Sequence, residues 1–144
     1  MQSYQKIVTA IDLSEESALV VERANGIANR NEAELHVVHV IEPLSLAYGG
    51  DIPMDFSGVQ DQLQEQAEKQ LASFGERYNI PPERLHLMIG RPESQIHQIA
   101  EDIEADLIVV GSHGRQGLAL ILGSTANGVL HGAHCDVLAV RVGN

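Results

Sequence analysis

The sequence predicts an α/β fold, a doubly wound five-stranded parallel sheet with helices on both faces. Five short apolar runs alternate with segments whose apolar residues recur at helical spacing, so strands and helices alternate along the chain. The strand-like runs are largely apolar, which is typical of parallel strands that are buried on both faces. Right-handed crossovers between such strands place the connecting helices on both sides of the sheet.

The predicted strands are short and rich in β-branched residues. They are Ile7–Ile11, Leu35–Ile41, Leu85–Ile89, Leu107–Val110 and Val137–Val142. Since runs of this kind lack the polar alternation of a half-exposed strand, we expect water to be excluded from both faces of the sheet.

Four helices are predicted between these strands. Their apolar residues are Val20, Ala24, Ile27 and Ala28; Val59, Leu63, Ala67, Leu71 and Phe74; Ile96, Ile99, Ala100 and Ile103; and, in a shorter helix, Ala126 to Leu130. Ser14, followed by Glu15 and Glu16, is predicted to cap the first helix, and Pro92 to open the third.

One long connection interrupts the pattern between Glu42 and Ser57. It contains Pro43, Gly49-Gly50 and Pro53 and has no apolar periodicity, so it is predicted to be a loop. The loop could act as a lid or be a connector without a role, and the sequence favours neither. Residues 1–144 together have the length of one domain, and we assign them to a single one.

Charge and cysteine content restrict the classes of partner. The formal net charge is -11 at pH 7, which would repel nucleic acid and anionic membrane surfaces. The amino-terminal residues are polar and no apolar run is long enough for a membrane span, so we expect neither a signal peptide nor a membrane anchor. Cys135 is the only cysteine and cannot form an intrachain disulfide, which fits a cytoplasmic protein.

The residues that follow the strands are the candidates for a ligand site. Asp12 follows the first strand, and the fourth is followed by a glycine-rich segment that ends in Gly123-Ser124-Thr125. Backbone N–H groups at the start of the last helix would face an anion, and a phosphate group is the natural occupant. The sequence contains neither GxxxxGK[ST] nor GxGxxG after the first strand, which argues against a P-loop or a dinucleotide-binding fold.

Three segments of the chain resemble the universal stress protein family. They are Ile7-Val8-Thr9-Ala10-Ile11-Asp12-Leu13-Ser14, then Val37-Val38-His39-Val40, and Asp106 to Val142, which includes Val109-Val110-Gly111-Ser112-His113-Gly114 and Leu122-Gly123-Ser124-Thr125. The resemblance implies a sheet in the order 3-2-1-4-5. The ATP-binding branch of this family carries Gly-x2-Gly-x9-Gly-[Ser/Thr]; here Gly111, Gly114, Gly123 and Ser124 match it with eight residues, not nine, before the third glycine.

The same resemblance implies roles for individual residues. Asp12 would meet the ribose and a magnesium ion, Val40 the adenine, and the phosphates would meet Gly111, Gly114, Gly123, Ser124 and Thr125. His113, inside the glycine-rich segment, is a further candidate binding residue. The implied ligand is ATP, with AMP or another adenosine phosphate as alternatives.

Two functions of different classes follow. The first is a dimeric stress-response switch that binds ATP, at most hydrolyses it slowly, and pairs two copies through the edge strand Val137–Val142. The second is a ligand-free dimeric interaction module that has lost nucleotide binding, as the shorter glycine spacing suggests. Either protein would also act on a protein partner whose identity the sequence leaves open.

Overall fold

The computed structural model describes residues 3–12, 14–42, 57–113 and 124–142. Strands and helices alternate in the predicted order, and a short 3-10 helix, Pro82–Arg84, precedes the third strand. The strands are β1 (Lys6–Ile11), β2 (Glu34–Ile41), β3 (Leu85–Ile89), β4 (Leu107–His113) and β5 (Asp136–Val142). The helices are α1 (Ser17–Asn31), α2 (Ser57–Tyr78), α3 (Pro92–Ile103) and α4 (Ser124–Gly132).

The five strands form one parallel sheet in the order β3-β2-β1-β4-β5. Both the predicted fold class and the strand order that the family resemblance implies are therefore confirmed. Since β1 lies between β2 and β4, the chain turns towards opposite edges of the sheet after β1 and after β3, which makes the carboxyl ends of β1 and β4 the switch point.

Two apolar clusters, one on each face, hold the helices against the sheet. On one face, Ile7, Val37 and Val109 lie under α1 and α2; on the other, Val8, Val38 and Ile108 lie under α3 and α4. The six residues alternate along their strands as side chains of a pleated strand must. Their side chains are at most 1% exposed, so the largely apolar strand sequences are explained by burial on both faces.

The pairing between β1 and β4 is shorter than the pairing on their other sides. It ends at Thr9↔Val109, whereas β1 stays paired with β2 as far as Ile11↔His39. The buried hydroxyl of Thr9 donates to the carbonyl oxygen of Val109 at 3.2 Å and holds the two strands together at this last pair. A cleft opens beyond it, between the carboxyl ends of the two strands.

The fourth strand is longer than predicted. Gly111, Ser112 and His113 were assigned to the glycine-rich loop, but they continue β4 and pair with Val140, Arg141 and Val142. The apolar pattern of β4 ends at Val110, so the sequence gives no signal for this extension. The extension of β4 is instead stabilised by its pairing with β5.

The predicted cap of α1 is wrong. The helix begins at Ser17, and its first turn contains neither Glu15 nor Glu16. The N-cap position is occupied by Glu16 and no side chain caps it, while the Ser14 hydroxyl donates to the Asp12 carboxylate. At α3 the prediction is confirmed, because Pro92 occupies the first turn and Glu93 follows it.

Most of the predicted loop at residues 42–57 lies outside the described residues; Glu42 follows β2 and Ser57 begins α2. None of the helices in the described part of the chain is both long enough and apolar enough to cross a bilayer.

Candidate functional site

The cleft at the switch point has a volume of about 300 Å³. It lies where β1, β2 and β4 end and where α1, α3 and α4 begin. Its lining includes Ile11, Asp12, Ser14, Glu16, Ser17, Val20, His39, Val40, Pro92, Ile96, Val110, Gly111, Ala126 and Val142. Of the predicted site residues, Asp12, Val40 and Gly111 thus come together on its walls.

Asp12 is held in place by the two serines that follow it. Its Oδ1 atom accepts hydrogen bonds from the backbone N–H of Ser14 at 3.0 Å and from the hydroxyl of Ser17 at 3.1 Å. The Ser14 hydroxyl donates to the same oxygen, and the Ser17 hydroxyl also donates to the Asp12 carbonyl. The carboxylate is therefore anchored at the mouth of the cleft by the turn that leads into α1.

His39 borders the cleft from the end of β2. Its side chain is buried, and its Nδ1 lies 2.8 Å from the carbonyl oxygen of Ile11. Its place beside Asp12 follows from the Ile11↔His39 register, which spacing within one strand does not reveal.

Gly111 is small because α1 passes close to it. Its φ lies outside the left-handed region, so its backbone conformation does not require glycine. A Cβ atom there would lie 3.2 Å from Cγ2 of Val20, closer than an ordinary van der Waals contact. The glycine thus allows α1 to form one wall of the cleft.

Acidic side chains and helix ends determine the electrostatics of the cleft. Among its described lining residues, Asp12 and Glu16 are acidic and none is a lysine or an arginine. The first turns of α1, α3 and α4 contribute Ser17, Pro92 and Ala126 to the lining. Since each helix has the positive end of its dipole at the amino terminus, three helix ends offset the carboxylates and favour an anionic group.

Of the residues assigned to the phosphates, the structure describes Gly111 in β4 and Ser124 and Thr125 at the start of α4. β4 ends at His113, and α4 begins at Ser124 and includes Thr125, as the sequence predicted for a helix start. Gly114 and Gly123 lie outside the described residues.

The model of the universal stress protein family matches residues 3–141, nearly the whole chain. The chain belongs to the universal stress protein family. Universal stress protein A homolog 1 of Coxiella burnetii is 44% identical over 139 residues, which cover 95% of this chain and 96% of the relative.

Solved structures of universal stress proteins and other chains have the same fold. A hypothetical protein named MJ0577 superimposes with a TM-score of 0.80 at 24% identity and covers 99% of both chains. A universal stress protein in complex with cAMP superimposes with a TM-score of 0.63 at 23% identity, over 97% of this chain and 98% of the other.

Three lining residues whose side chains form hydrogen bonds were not predicted as part of the site. Ser14, Ser17 and His39 line it together with Asp12. The serines could have been recognised as an Asp-x-Ser turn, in which a carboxylate accepts from a backbone N–H two residues on. No sequence signal connects His39 with Ile11, because that contact depends on how two parallel strands are aligned.

Proposed function

We propose that this universal stress protein binds an adenine nucleotide, ATP in particular, in the cleft at the carboxyl ends of β1 and β4. The observation that carries the proposal is the cleft itself. It lies at the switch point where doubly wound sheets bind ligands, and its volume of about 300 Å³ suits a small ligand. The family member in complex with cAMP supports an adenine nucleotide as the ligand.

The orientation of the nucleotide follows from the walls of the cleft. Val40 at the end of β2 would contact the adenine, and Asp12 at the end of β1 the ribose. The phosphates would extend towards the start of α4, where Ser124 and Thr125 open the helix and Gly111, His113, Gly114 and Gly123 precede it. Backbone N–H groups at a helix start donate to phosphate oxygens, and the helix dipole adds to the attraction.

A magnesium ion fits this arrangement. Mg²⁺ is commonly held by one or two carboxylates together with phosphate oxygens of the ligand, and Asp12 supplies a carboxylate at the cleft. The described residues hold no cluster of three His, Cys, Asp or Glu side chains that could bind a metal alone. The ion would therefore arrive with the nucleotide and screen its phosphates from Asp12 and Glu16.

We assign the bound nucleotide a signalling role in a cytoplasmic homodimer. β5 is an edge strand, so its outer backbone N–H and C=O groups are available to pair with a second copy. Two copies of β5 related by a twofold axis would join the two sheets into one. The glycine-rich segment connects β4 to α4, and α4 leads into β5. A nucleotide bound in the cleft would therefore change the conformation of β5 at the edge of the sheet.

Titration calorimetry with ATP and Mg²⁺ tests the proposal, with Asp12→Asn as the informative variant. Asparagine keeps an oxygen that can accept from Ser14 and Ser17 and removes only the charge. We expect the parent to bind about one ATP per chain and Asp12→Asn to bind it at least tenfold more weakly, since a hydrogen bond to a charged group contributes about 1.5–3 kcal/mol.

Asp102→Asn is the matched control. Asp102 lies on α3, is exposed, is not part of the cleft lining, and accepts from Gln98. The control removes the same charge and should leave ATP affinity as in the parent. Equal affinity of Asp12→Asn and Asp102→Asn would remove Asp12 from the site, and a parent that binds neither ATP nor AMP would contradict the proposed function.

One observation favours the alternative, a ligand-free dimeric module. Oδ1 of Asp12 already accepts hydrogen bonds from Ser14 and Ser17, so this carboxylate has a structural role without any nucleotide. The nucleotide content of protein purified without added nucleotide discriminates between the two functions. Mass analysis of what denaturation releases should find an adenosine phosphate if the cleft is a nucleotide site, and none if the module is ligand-free.

A further inference from the structure

His39 brings a second polar side chain into the cleft. Its side chain is only 7% exposed, and it lines the cleft between Val40 and the end of β1. A buried polar group is usually retained because it is hydrogen-bonded. One bond of His39 is visible in the fold, from Nδ1 to the carbonyl oxygen of Ile11 at 2.8 Å.

That bond determines which ring nitrogen carries the proton. A carbonyl oxygen can only accept, so Nδ1 of His39 must donate to Ile11. In the neutral imidazole the other nitrogen, Nε2, then carries a lone pair and can only accept. Within the described part of the chain, Nε2 has no hydrogen-bond partner. Nε2 is open to the cleft, because among the described residues only Oε1 of Gln70 is a buried side-chain atom without a partner. A ligand that covers Nε2 would leave this acceptor unpaired unless the ligand supplies an N–H or O–H group, so a ligand with such a donor would be preferred.

We propose that Nε2 of His39 accepts a hydrogen bond from the exocyclic amino group of the base and thereby selects adenine over 6-oxo purines. The inference rests on the proposed nucleotide site. An adenosine phosphate offers two kinds of donor, the ribose hydroxyls and the 6-amino group. We assign the ribose hydroxyls to Asp12, because a carboxylate is the stronger acceptor. His39 belongs to β2, the strand of Val40, to which the base is assigned.

Rejection of a 6-oxo purine follows from the same geometry. In inosine or guanine nucleotides an oxygen replaces the amino group, so two lone pairs would face each other across the cleft. A site with a buried acceptor that is left unpaired discriminates strongly against the ligand that lacks the donor. The preference for adenine would therefore depend on a side chain and not on the backbone alone.

The test compares ATP with ITP on the parent protein and on His39→Asn. Asparagine places an amide N–H close to the position of Nδ1, so it can still donate to Ile11, and it has no atom at the position of Nε2. We expect the parent to bind ATP at least about tenfold more tightly than ITP, and the variant to bind the two within about threefold of each other. His134→Asn, an exposed position between α4 and β5, is the control and should keep the ratio of the parent.

Each other outcome overturns the inference in a distinguishable way. If the parent binds ATP and ITP equally, or if a folded His39→Asn keeps the ratio of the parent, His39 does not select the base. If the variant loses discrimination between ATP and 2′-deoxy-ATP while its ratio of ATP affinity to ITP affinity is unchanged, a ribose hydroxyl is the group that donates to His39. If the parent binds no nucleotide at all, the proposed function fails as well. The parent comparison needs no variant, so a His39→Asn protein that does not fold leaves the inference testable.

Discussion

At the scale of single residues, the loop between β3 and α3 shows how backbone conformation restricts the sequence near the cleft. Gly90 has a φ of +149°, a conformation that side-chain-bearing residues rarely adopt. Its N–H donates to the carbonyl oxygen of Ile41 at 3.0 Å, which ties the end of β3 to the end of β2. A Cβ atom at this position would lie 2.9 Å from Nε2 of Gln95. The backbone conformation requires glycine here, and a side chain would in addition displace Gln95.

Replacing Gly90 with alanine is therefore expected to lower the free energy of unfolding by about 1–3 kcal/mol, the range for a residue forced into a sparsely populated conformation. Gly58→Ala is the control, because Gly58 lies in α2 and a Cβ atom there meets nothing within 4 Å. That change should instead stabilise the protein by about 0.5–1 kcal/mol, since alanine is the better helix former. Urea unfolding measures both, and equal signs for the two changes would contradict this explanation.

At the scale of elements, β2 and β3 are joined by a chain of polar side chains as well as by their backbones. Nε2 of His36 lies 2.7 Å from Oε1 of Glu34, and Nδ1 of His36 lies 2.9 Å from Nε2 of His86. The rings of His36 and His86 stack with their centroids 5.2 Å apart. If Nε2 of neutral His36 donates to the carboxylate, Nδ1 accepts, and His86 must donate to it. The chain Glu34–His36–His86 thus links the two strands on one face.

This chain makes the stability of the edge strand dependent on pH. Burial, and next the charge of His36, lower the pKa of His86 below its ordinary value. The hydrogen bond from His36 lowers the pKa of Glu34. Below pH of about 6.5 the unfolded chain takes up a proton at His86 that the folded chain resists, so stability falls. The contribution of Glu34 is present above pH of about 4.3 and is lost only as the pH falls further.

We expect the free energy of unfolding to decrease from pH 7.5 to pH 5.5, and to decrease less in His86→Gln. Glutamine keeps an N–H that can donate to Nδ1 of His36 but does not titrate in this range. Denaturant unfolding at the two pH values measures the difference between parent and variant. A variant with the same pH dependence as the parent would show that His86 does not contribute to it. In Glu34→Gln, by contrast, only the loss of stability below pH of about 4.3 should be reduced.

At the scale of the whole molecule, the proposed homodimer depends on the side chains of the edge strand β5. In β5 the side chains of Val140 and Val142 are buried, whereas Ala139 and Arg141 are exposed. Ala139 lies at the middle of β5, so a twofold axis through this edge brings the two copies of Ala139 close together. Val140 belongs to the core, so a change there would affect folding and assembly together.

Ala139→Glu is expected to weaken the proposed homodimer at least about tenfold. Two like charges would face each other across the axis, in a chain whose formal net charge is already -11. Sedimentation equilibrium measures the dissociation constant. Ala72→Glu makes the same change at an exposed position of α2 and should leave it unchanged. A monomeric parent, or an Ala139→Glu protein that remains as dimeric as the parent, would contradict pairing through β5.

The sequence by itself determined the elements and the family. Strands buried on both faces must be apolar along their length, and helices on a sheet must repeat their apolar residues at helical spacing, so both kinds of element leave a local pattern. The sheet order came from the resemblance to the family, because the residues alone do not say to which side each crossover turns. The place of Asp12 at a ligand edge also followed, since it comes directly after a strand.

Only the tertiary structure decided which side chains meet at that edge. His39 lies beside Ile11 because β1 and β2 are aligned in one register, and the cleft opens because β1 and β4 stop pairing after Thr9 and Val109. These contacts depend on strand alignment and on the directions in which chain segments leave the sheet. Local residue patterns do not encode the strand alignment or these directions, because both are determined only when the whole core packs.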